Sequence, residues 1–300
     1  MRYETKTHVA ARRLSLQQAT LVLQVVFLCV LSALLMLGGF FPTLELMLVL
    51  AVLLLVWRAR ERQLLVAMMP FFLLMITYQT LRGFADDFTP MDIHVTDLIA
   101  WEKALFGGTI PAAFVQSHIA NPSVRQWLDP IMNTVYMSHF VTPVVLAIVL
   151  WYRRRDWYWP FIFGIVLLSY VAFATFLLFP AAPPWWATEY GYLVDQPVAL
   201  RSVMTWVIKV GSPNPVAAMP SLHCAYPAFF LAVAVGAWGR RGLWLLPLPM
   251  SVAFSTVYLG HHWVIDIIAG YFYAAVAFGT VYFGRRAIQN RRRRNELGST

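Results

Sequence analysis

The residues of this sequence that could do chemistry lie in two short segments, NPVAAMPSLHCAYP and FSTVYLGHHWVIDIIAG, and both segments adjoin long apolar runs. The first contains Ser221 and His223, and the second contains His261, His262 and Asp266. An aspartate at the centre of a membrane helix costs about 2.5–3.5 kcal/mol on insertion, so ionisable residues in such runs are commonly functional. These residues are therefore the first candidates for a catalytic site.

The spacing of His262 and Asp266 indicates how an imidazole could be activated. Residues four apart share one face of a helix, so the carboxylate can accept the proton of one ring nitrogen. The lone pair of the other nitrogen is then free for nucleophilic attack. Ser221 follows a proline, as at many helix starts, where unpaired backbone N–H groups bind phosphate. Ser255 lies seven residues before His262 and would share its face in an unbroken helix, a point that the intervening Gly260 leaves open.

The composition is that of a polytopic helical membrane protein, because 60% of the 300 residues are hydrophobic and only 12% are charged. Cys29 and Cys224 both lie in apolar runs, where a thiol behaves as a small hydrophobe. Neither a disulfide framework nor a cysteine metal site is indicated. The net charge of +9 could indicate nucleic-acid binding, but the basic residues cluster at the ends of the apolar runs. This placement indicates membrane topology and no nucleic-acid partner.

The apolar runs predict an all-α membrane bundle of about eight transmembrane helices, six in a core that follows two N-terminal spans. The second of these spans contains Pro42 and Glu45, so a re-entrant hairpin is an alternative for it. A stretch of mixed polarity, 94–106, predicts a helix at the membrane interface. The predicted units are an N-terminal hairpin (1–62), a core (63–284) and a basic tail (285–300). The predicted spans cover residues 19–37, 40–57, 64–81, 131–152, 159–179, 219–238, 243–259 and 263–283.

The distribution of basic residues predicts the orientation of these spans. If the spans alternate in direction, 18 of the 23 Lys and Arg residues fall on one side of the membrane and five on the other. The positive-inside rule then places both termini in the cytoplasm. The candidate segments 214–227 and 254–270 fall on the opposite side, although their chemistry did not enter the count. We therefore expect a multi-pass protein of a bacterial plasma membrane, with an extracytoplasmic active site.

The two segments carry motifs that are similar to those of a known family. Pro220-Ser221-x-His223, followed by Ser255-x6-His262-x3-Asp266, resembles the second and third signature motifs of the type 2 phosphatidic acid phosphatase superfamily. More narrowly, AMPSLH with YLGHHWVID is similar to the inositol phosphorylceramide synthase branch, whose third motif also has a double histidine. The resemblance covers residues 219–266 well and roughly the last two-thirds of the chain more loosely.

The resemblance implies a membrane enzyme that transfers a phosphoryl group in two steps, without a metal or another cofactor. His262 would attack phosphorus to form a phosphohistidine, and Asp266 would orient its ring. His223 would protonate the leaving alcohol and then activate the acceptor. Phosphate oxygens would be held by backbone N–H groups and by Ser221 and Ser255. For His261 two interpretations are open: a further phosphate donor, or a residue that faces the lipid headgroups.

Three cationic positions of the family pattern are neutral in this sequence. Thr256 stands where the third motif usually has arginine, and Thr175 and Ala182 stand where the first motif has lysine and arginine. Losing one donor to a developing oxyanion can cost on the order of 100-fold in rate, so a replacement is expected. Arg82 is the best one, because it ends the third span on the predicted catalytic side and can bind phosphate bidentately. The weaker candidates are Arg201 and Lys209.

A site with few cations suits a singly charged phosphodiester better than a dianionic monoester. We therefore expect a phospholipid headgroup phosphotransferase, which takes a phospholipid or lipid phosphate as donor and a polyol such as inositol as acceptor. The main alternative is a lipid phosphate phosphatase, of the phosphatidic acid or polyprenyl phosphate type, with water as acceptor.

Two further interpretations remain open. In a transporter, His223, His262 and Asp266 would form a proton relay, but relay residues are expected near mid-span and these lie at span ends. A non-catalytic relative would account for the missing cations, although it would have no need of the two histidines and the aspartate. His139 stands alone in an apolar run, so it is expected to pack and not to react.

Overall fold

The computed structural model describes residues 92–202 and 215–297, together with residues 63, 64, 67–69, 71 and 77. The first two predicted spans, Arg82 and Lys209 lie outside the described residues. Within the two long described ranges, regular structure is helical, and extended chain forms only two isolated parallel bridges. The α-helices are α1 Thr96–Leu105, α2 Pro111–His118, α3 Pro122–Arg153, α4 Arg155–Leu178, α5 Pro184–Glu189, α6 Leu222–Trp238, α7 Pro247–Tyr258 and α8 Val264–Leu297.

Three described segments are long and apolar enough to cross a membrane: Arg155–Leu178, Leu222–Leu245 and Val264–Arg291. The fourth is α3, if its two halves, Pro122–His139 and Val141–Arg153, form one bent span. The predicted all-α membrane fold is therefore confirmed for the described residues. The total of about eight spans and the cytoplasmic termini stay predictions.

The predicted seventh span, 243–259, does not form one long helix. A 3-10 helix, Gly239–Leu245, leads into α7, which has 12 residues. At 1.5 Å per residue, 12 residues extend about 18 Å, whereas the hydrocarbon core of a bilayer is about 30 Å thick. Pro247 begins α7, and its missing N–H suits a first helical turn but not the middle of a longer helix.

The helix α3 bends just after residues that reach the site. Its two halves meet at 46°. Pro143 lies inside the helix and has no N–H to give to the carbonyl of His139, one turn earlier, so the helix kinks there. The half before the bend carries Tyr136 and His139, which contact His223 in the first turn of α6.

The main core lies between α3, α4, α6 and α8. Gly270 of α8 allows a close approach of α6, because a Cβ at this position would lie 2.5 Å from the carbonyl oxygen of Ser221. In the same contact the backbone N–H of Ser221 donates to the carbonyl of Asp266 at 3.0 Å. The starts of α6 and α8 are therefore joined directly. Large buried core side chains include Tyr158, Phe161 and Ile165 of α4 and Phe229, Phe230 and Val233 of α6.

A second apolar cluster covers the start of α8. Here α1 and two extended segments meet: the N–H of His94 donates to the carbonyl of Pro180 at 2.8 Å, and the N–H of Ala218 donates to that of Ala181 at 3.0 Å. The helix predicted over 94–106 is present as α1, whose Leu98 is buried in this cluster. Its place at the membrane interface stays a prediction. Short helices and loops thus cover the first turns of α6 and α8.

Candidate active site

The motif residues lie at helix starts. Ser221 is the N-cap of α6, and its side chain accepts a hydrogen bond from the backbone N–H of Cys224 at 3.4 Å. His223 follows in the first turn of α6, and Asp266 is the third residue of α8. His262 lies two residues before α8. The helix start predicted at Pro220-Ser221 is therefore present. The Ser221 side chain already accepts the N–H of Cys224, so fewer N–H groups of this first turn remain for an anion.

Asp266 holds both the start of α8 and the ring of His262. Its Oδ2 accepts the backbone N–H of Trp263 at 2.9 Å and faces His262 Nδ1 at 3.2 Å. Asp266 is fully buried and His262 is 3% exposed. The predicted contact is therefore present, but not through a shared helix face, because His262 precedes α8 and Asp266 reaches it from the first turn. The backbone bond fixes the carboxylate against rotation.

The two histidines meet although they lie 39 residues apart in the chain. His223 Nδ1 is 2.8 Å from His262 Nε2, and the ring centroids are 5.0 Å apart. The contact follows from the close packing of α6 on α8 at Gly270. It places one nitrogen of each ring where a single small group could reach both.

The hydrogen-bond network favours one pair of tautomers. When Asp266 is ionised, its carboxylate can only accept, so Nδ1 of His262 carries the proton between them and Nε2 has the lone pair. Nδ1 of His223 can then donate to that lone pair. This tautomer of His262 turns its unprotonated nitrogen toward His223, which is the form that a nucleophile requires.

Gly260 breaks the helix before the double histidine. Its φ is +82°, and a Cβ there would lie 2.6 Å from the carbonyl oxygen of Ala199. Leu259, Gly260 and His261 donate their N–H groups back to α7 in its last turn. Ser255 therefore lies in α7 and not on the helix of Asp266, and its hydroxyl donates to the carbonyl of Val252 at 2.8 Å.

His261 is buried beside the two catalytic candidates. Its ring is 8% exposed and stacks on Tyr136, with centroids 4.6 Å apart. Burial lowers the pKa of His261 to about 3, so this ring is neutral at ordinary pH. Its Nε2 has no hydrogen-bond partner among the described residues. A neutral ring nitrogen that is buried and unpaired can serve a ligand.

Sequence reasoning missed the contribution of α3. The hydroxyl of Tyr136 lies 2.7 Å from His223 Nε2, so both nitrogens of His223 are bonded. His139, which was expected only to pack, lies edge-on to the His223 ring with centroids 4.5 Å apart. Its Nδ1 donates to the carbonyl of Tyr136. The available signal was the spacing of three, which puts both residues on one helix face.

The site residues lie within a stretch of the chain that matches a known family. The sequence profile of the PAP2 superfamily matches residues 96–280, which is more than half of the chain and includes His223, His262 and Asp266. The chain belongs to the PAP2 superfamily. It is also 26% identical over 226 residues to the phosphoinositol dihydroceramide synthase of Bacteroides thetaiotaomicron, an alignment that covers 70% of this chain and 73% of the relative. No solved structure matches the chain significantly.

This PAP2 protein has neutral, locally bonded groups where the superfamily pattern has cations. The hydroxyl of Thr256 donates to the carbonyl of Ala253 at 2.8 Å. Thr175 bonds the hydroxyl of Tyr273 at 2.7 Å. The carbonyl of Ala182 accepts the indole N–H of Trp263, the residue next to His262, at 2.7 Å. These positions stabilise the helices around the site and supply no charge to it.

Three described basic residues were predicted to lie on the catalytic side, and each is bonded to another part of the protein. Arg201 was a weaker candidate for phosphate binding, but its guanidinium donates to the carbonyls of Gln116 and Ile119 at the end of α2. Lys103 pairs with Asp195 at 2.6 Å, and Arg125 pairs with Asp129 at 3.6 Å. Among the described residues, no group of three or more His, Cys, Asp or Glu side chains is arranged to hold a metal.

Glu102 of α1 is a second residue that sequence reasoning missed. It is 1% exposed, and its two carboxylate oxygens accept the backbone N–H groups of Val264 at 2.9 Å and Ile265 at 3.2 Å. These are the first N–H groups of α8, which have no partner inside the helix. Glu102 therefore fixes the start of the helix that carries Asp266.

The ionisation of Glu102 gives a prediction about stability. Burial raises the pKa of Glu102 from 4.5 to about 7, against the opposing effect of its two backbone hydrogen bonds, and Asp266 raises it further. The folded protein holds this proton more tightly than the unfolded chain does. The contribution of Glu102 to the free energy of unfolding therefore falls as the pH rises from about 4.5 to about 7, by up to about 3 kcal/mol.

Glu102→Gln is expected to remove this part of the pH dependence, because glutamine does not titrate. The melting temperature of the detergent-solubilised protein at about pH 5 and about pH 8 would measure it, and the decrease should be smaller in the variant. The control is Glu189→Gln, which makes the same change at an exposed position of α5. An identical decrease in wild type and Glu102→Gln would contradict the prediction.

Proposed function

We propose that this protein transfers the phosphorylated headgroup of a membrane phospholipid to an alcohol, at the extracytoplasmic face, through a phosphohistidine on His262. The PAP2 family and the synthase among the relatives make the protein a lipid phosphoryl-transfer enzyme. The observation that carries the finer proposal is the contact of 2.8 Å between His223 Nδ1 and His262 Nε2, with Asp266 behind the second ring.

In the first half-reaction, Nε2 of His262 attacks phosphorus. A P–N bond forms while the P–O bond to the lipid alcohol breaks. The departing oxygen takes a proton from Nδ1 of protonated His223, the nitrogen that lies against Nε2. The phosphoryl group therefore enters between the two rings and replaces their hydrogen bond. Asp266 accepts the Nδ1 proton of His262 throughout and stabilises the positive charge that develops on this ring.

In the second half-reaction, the acceptor alcohol approaches along the path by which the first alcohol left. Nδ1 of His223, now without its proton, removes the hydroxyl proton of the acceptor. The acceptor oxygen attacks phosphorus, the P–N bond breaks, and His262 regains its lone pair. The chemistry uses two imidazoles and a carboxylate, so it requires no metal or other cofactor.

The phosphate oxygens would be held by groups around the start of α6. N–H groups at the start of a helix can bind phosphate oxygens, and the unpaired Nε2 of His261 can donate when that nitrogen carries the proton. Ser221 lies at the N-cap, but Ser255 would first have to rotate away from the carbonyl of Val252. Arg82 is our proposal for the missing cation.

Two features support a phosphodiester as donor. The described cations on the catalytic side are bonded elsewhere, so the site is better matched to one negative charge than to two. The name of the Bacteroides relative joins a phosphoinositol group to a dihydroceramide, which is a phosphodiester. We therefore propose phosphatidylinositol as the donor class and a polyol or a lipid alcohol as acceptor.

The substrate class can be tested with purified protein in mixed micelles. Transfer of radiolabelled phosphoinositol to an alcohol acceptor is expected to exceed release of inorganic phosphate from phosphatidic acid by about tenfold or more, since the second charge of a monoester lacks a partner. The control is the same pair of assays without acceptor alcohol. Faster phosphate release from the monoester would establish the phosphatase alternative.

A further inference from the structure

The proposed function places an unusual demand on His223. Its Nδ1 must give a proton in the first half-reaction and take one in the second. Between the two steps the ring is neutral, with its lone pair on Nδ1 and its remaining proton on Nε2. A neutral imidazole can carry its proton on either nitrogen, so Nε2 needs a partner that can accept its proton in this state and still bond it in the others.

We propose that Tyr136 is the positioning residue that holds Nε2 of His223, so that Nδ1 alone exchanges protons with donor and acceptor. The hydroxyl of Tyr136 is 2.7 Å from this nitrogen. This inference rests on the proposed function, because it assigns a partner to the acid and base of that reaction.

A phenol suits this position because it can both donate and accept. When His223 is protonated or has its lone pair on Nδ1, Nε2–H donates to the oxygen of Tyr136. When Nδ1–H instead bonds His262, as in the resting network, the hydroxyl of Tyr136 donates to Nε2. The same contact therefore persists in each state, and neither atom has to move.

The structure holds Tyr136 firmly in this place. Its ring stacks on His261 with an interplanar angle of 12°, and its carbonyl accepts Nδ1–H of His139. The bend of α3 follows directly after these residues. The hydroxyl is thus presented to His223 by a backbone and a ring that are both anchored.

Tyr136→Phe keeps the ring and removes only the hydroxyl. We expect kcat for the lipid donor to fall about 10- to 100-fold, while KM changes less than about twofold. Formation of labelled phosphoenzyme and its discharge to the alcohol should slow together, because the same nitrogen of His223 serves both steps. The matched control is Tyr190→Phe, the same change at an exposed tyrosine of the loop after α5.

The leaving group separates this role from a purely structural one. A nitrophenyl phosphodiester releases nitrophenolate, which needs no proton from His223. With this donor, Tyr136→Phe should form phosphoenzyme at nearly the wild-type rate, although discharge to the alcohol stays slow. Equal slowing with both donors would mean that Tyr136 only shapes the site, and unchanged rates with both would also overturn the proposal.

A second probe covers the case in which Tyr136→Phe does not fold. p-Aminophenylalanine at position 136 keeps the ring and an N–H donor, but its aniline nitrogen is a weaker acceptor than the phenol oxygen, so protonated His223 is stabilised less. The alkaline limb of the pH–rate profile for the lipid donor should therefore move to lower pH. The substituted protein keeps the other titratable groups around His223, which are His139, His261, His262 and Asp266. An unmoved limb would overturn the proposal.

The wild-type protein distinguishes this inference from the function on which it rests. If wild type forms no phosphohistidine on His262, the proposed function fails. If wild type forms it and Tyr136→Phe behaves like wild type with the lipid donor, the function stands and the role of Tyr136 is wrong.

Discussion

Replacing His262 by alanine is expected to abolish lipid headgroup transfer, with kcat lower by about 10⁴-fold or more. The variant loses the nitrogen that attacks phosphorus, and neither Asp266 nor His223 can take its place from its bonded position. Transfer of radiolabelled headgroup in mixed micelles would measure the loss. Acid quenching of the wild-type reaction should trap an acid-labile, base-stable label on the protein, and the variant should show none.

The control for this experiment is His118→Ala. His118 is exposed at the end of α2, so the same substitution there should leave transfer and labelling intact. A fully active His262→Ala protein would refute the phosphohistidine mechanism. Label on the variant would instead place the intermediate on a different residue.

Replacing Asp266 by asparagine is expected to lower kcat about 10²- to 10³-fold and to leave KM nearly unchanged. The amide oxygen can take the place of Oδ2, where it accepts both the N–H of Trp263 and the Nδ1–H of His262. A neutral amide cannot stabilise the positive charge that develops on the His262 ring when its Nε2 attacks phosphorus. The geometry and the tautomer therefore stay, and the negative charge is lost.

The matched control is Asp195→Asn, which removes an exposed carboxylate paired with Lys103. It is expected to transfer at close to the wild-type rate. The double variant of His262→Ala with Asp266→Asn should be no slower than His262→Ala alone, because the carboxylate acts only through that ring. Additive losses in the double variant would show that Asp266 has a second, independent role in the reaction.

Local patterns predicted the parts of the site that depend on one short segment. The spacing of His262 and Asp266 predicted their contact through a shared helix face; the pair is in contact, but His262 lies before α8. Proline before Ser221 predicted a helix start, and Ser221 is the N-cap of α6. Gly260 left the alignment of Ser255 open, and it ends that alignment because its positive φ interrupts the helix.

Contacts between helices could not be derived in this way. Glu102 reaches the first N–H groups of α8 across 162 residues of chain, and Tyr136 reaches His223 across 87. Separations this long are unrelated to the period of a helix. Glu102 therefore looked like part of an interfacial helix, and Tyr136 looked like part of an apolar run. The sequence showed that Ala182 stands where the family pattern has a cation. It did not show that the carbonyl of Ala182 accepts the indole N–H of Trp263.

The amino-acid sequence by itself determined that this is an all-α membrane protein with a paired histidine and carboxylate, because hydropathy and helical period act over a few turns of one chain segment. Only the tertiary structure decided that His223 faces His262, that Tyr136 completes the network and that Glu102 anchors its helix. Those contacts depend on how closely α3, α6 and α8 pack and on where α3 bends. Packing distances are set by many side chains at once, such as the missing Cβ of Gly270, and no single segment encodes them.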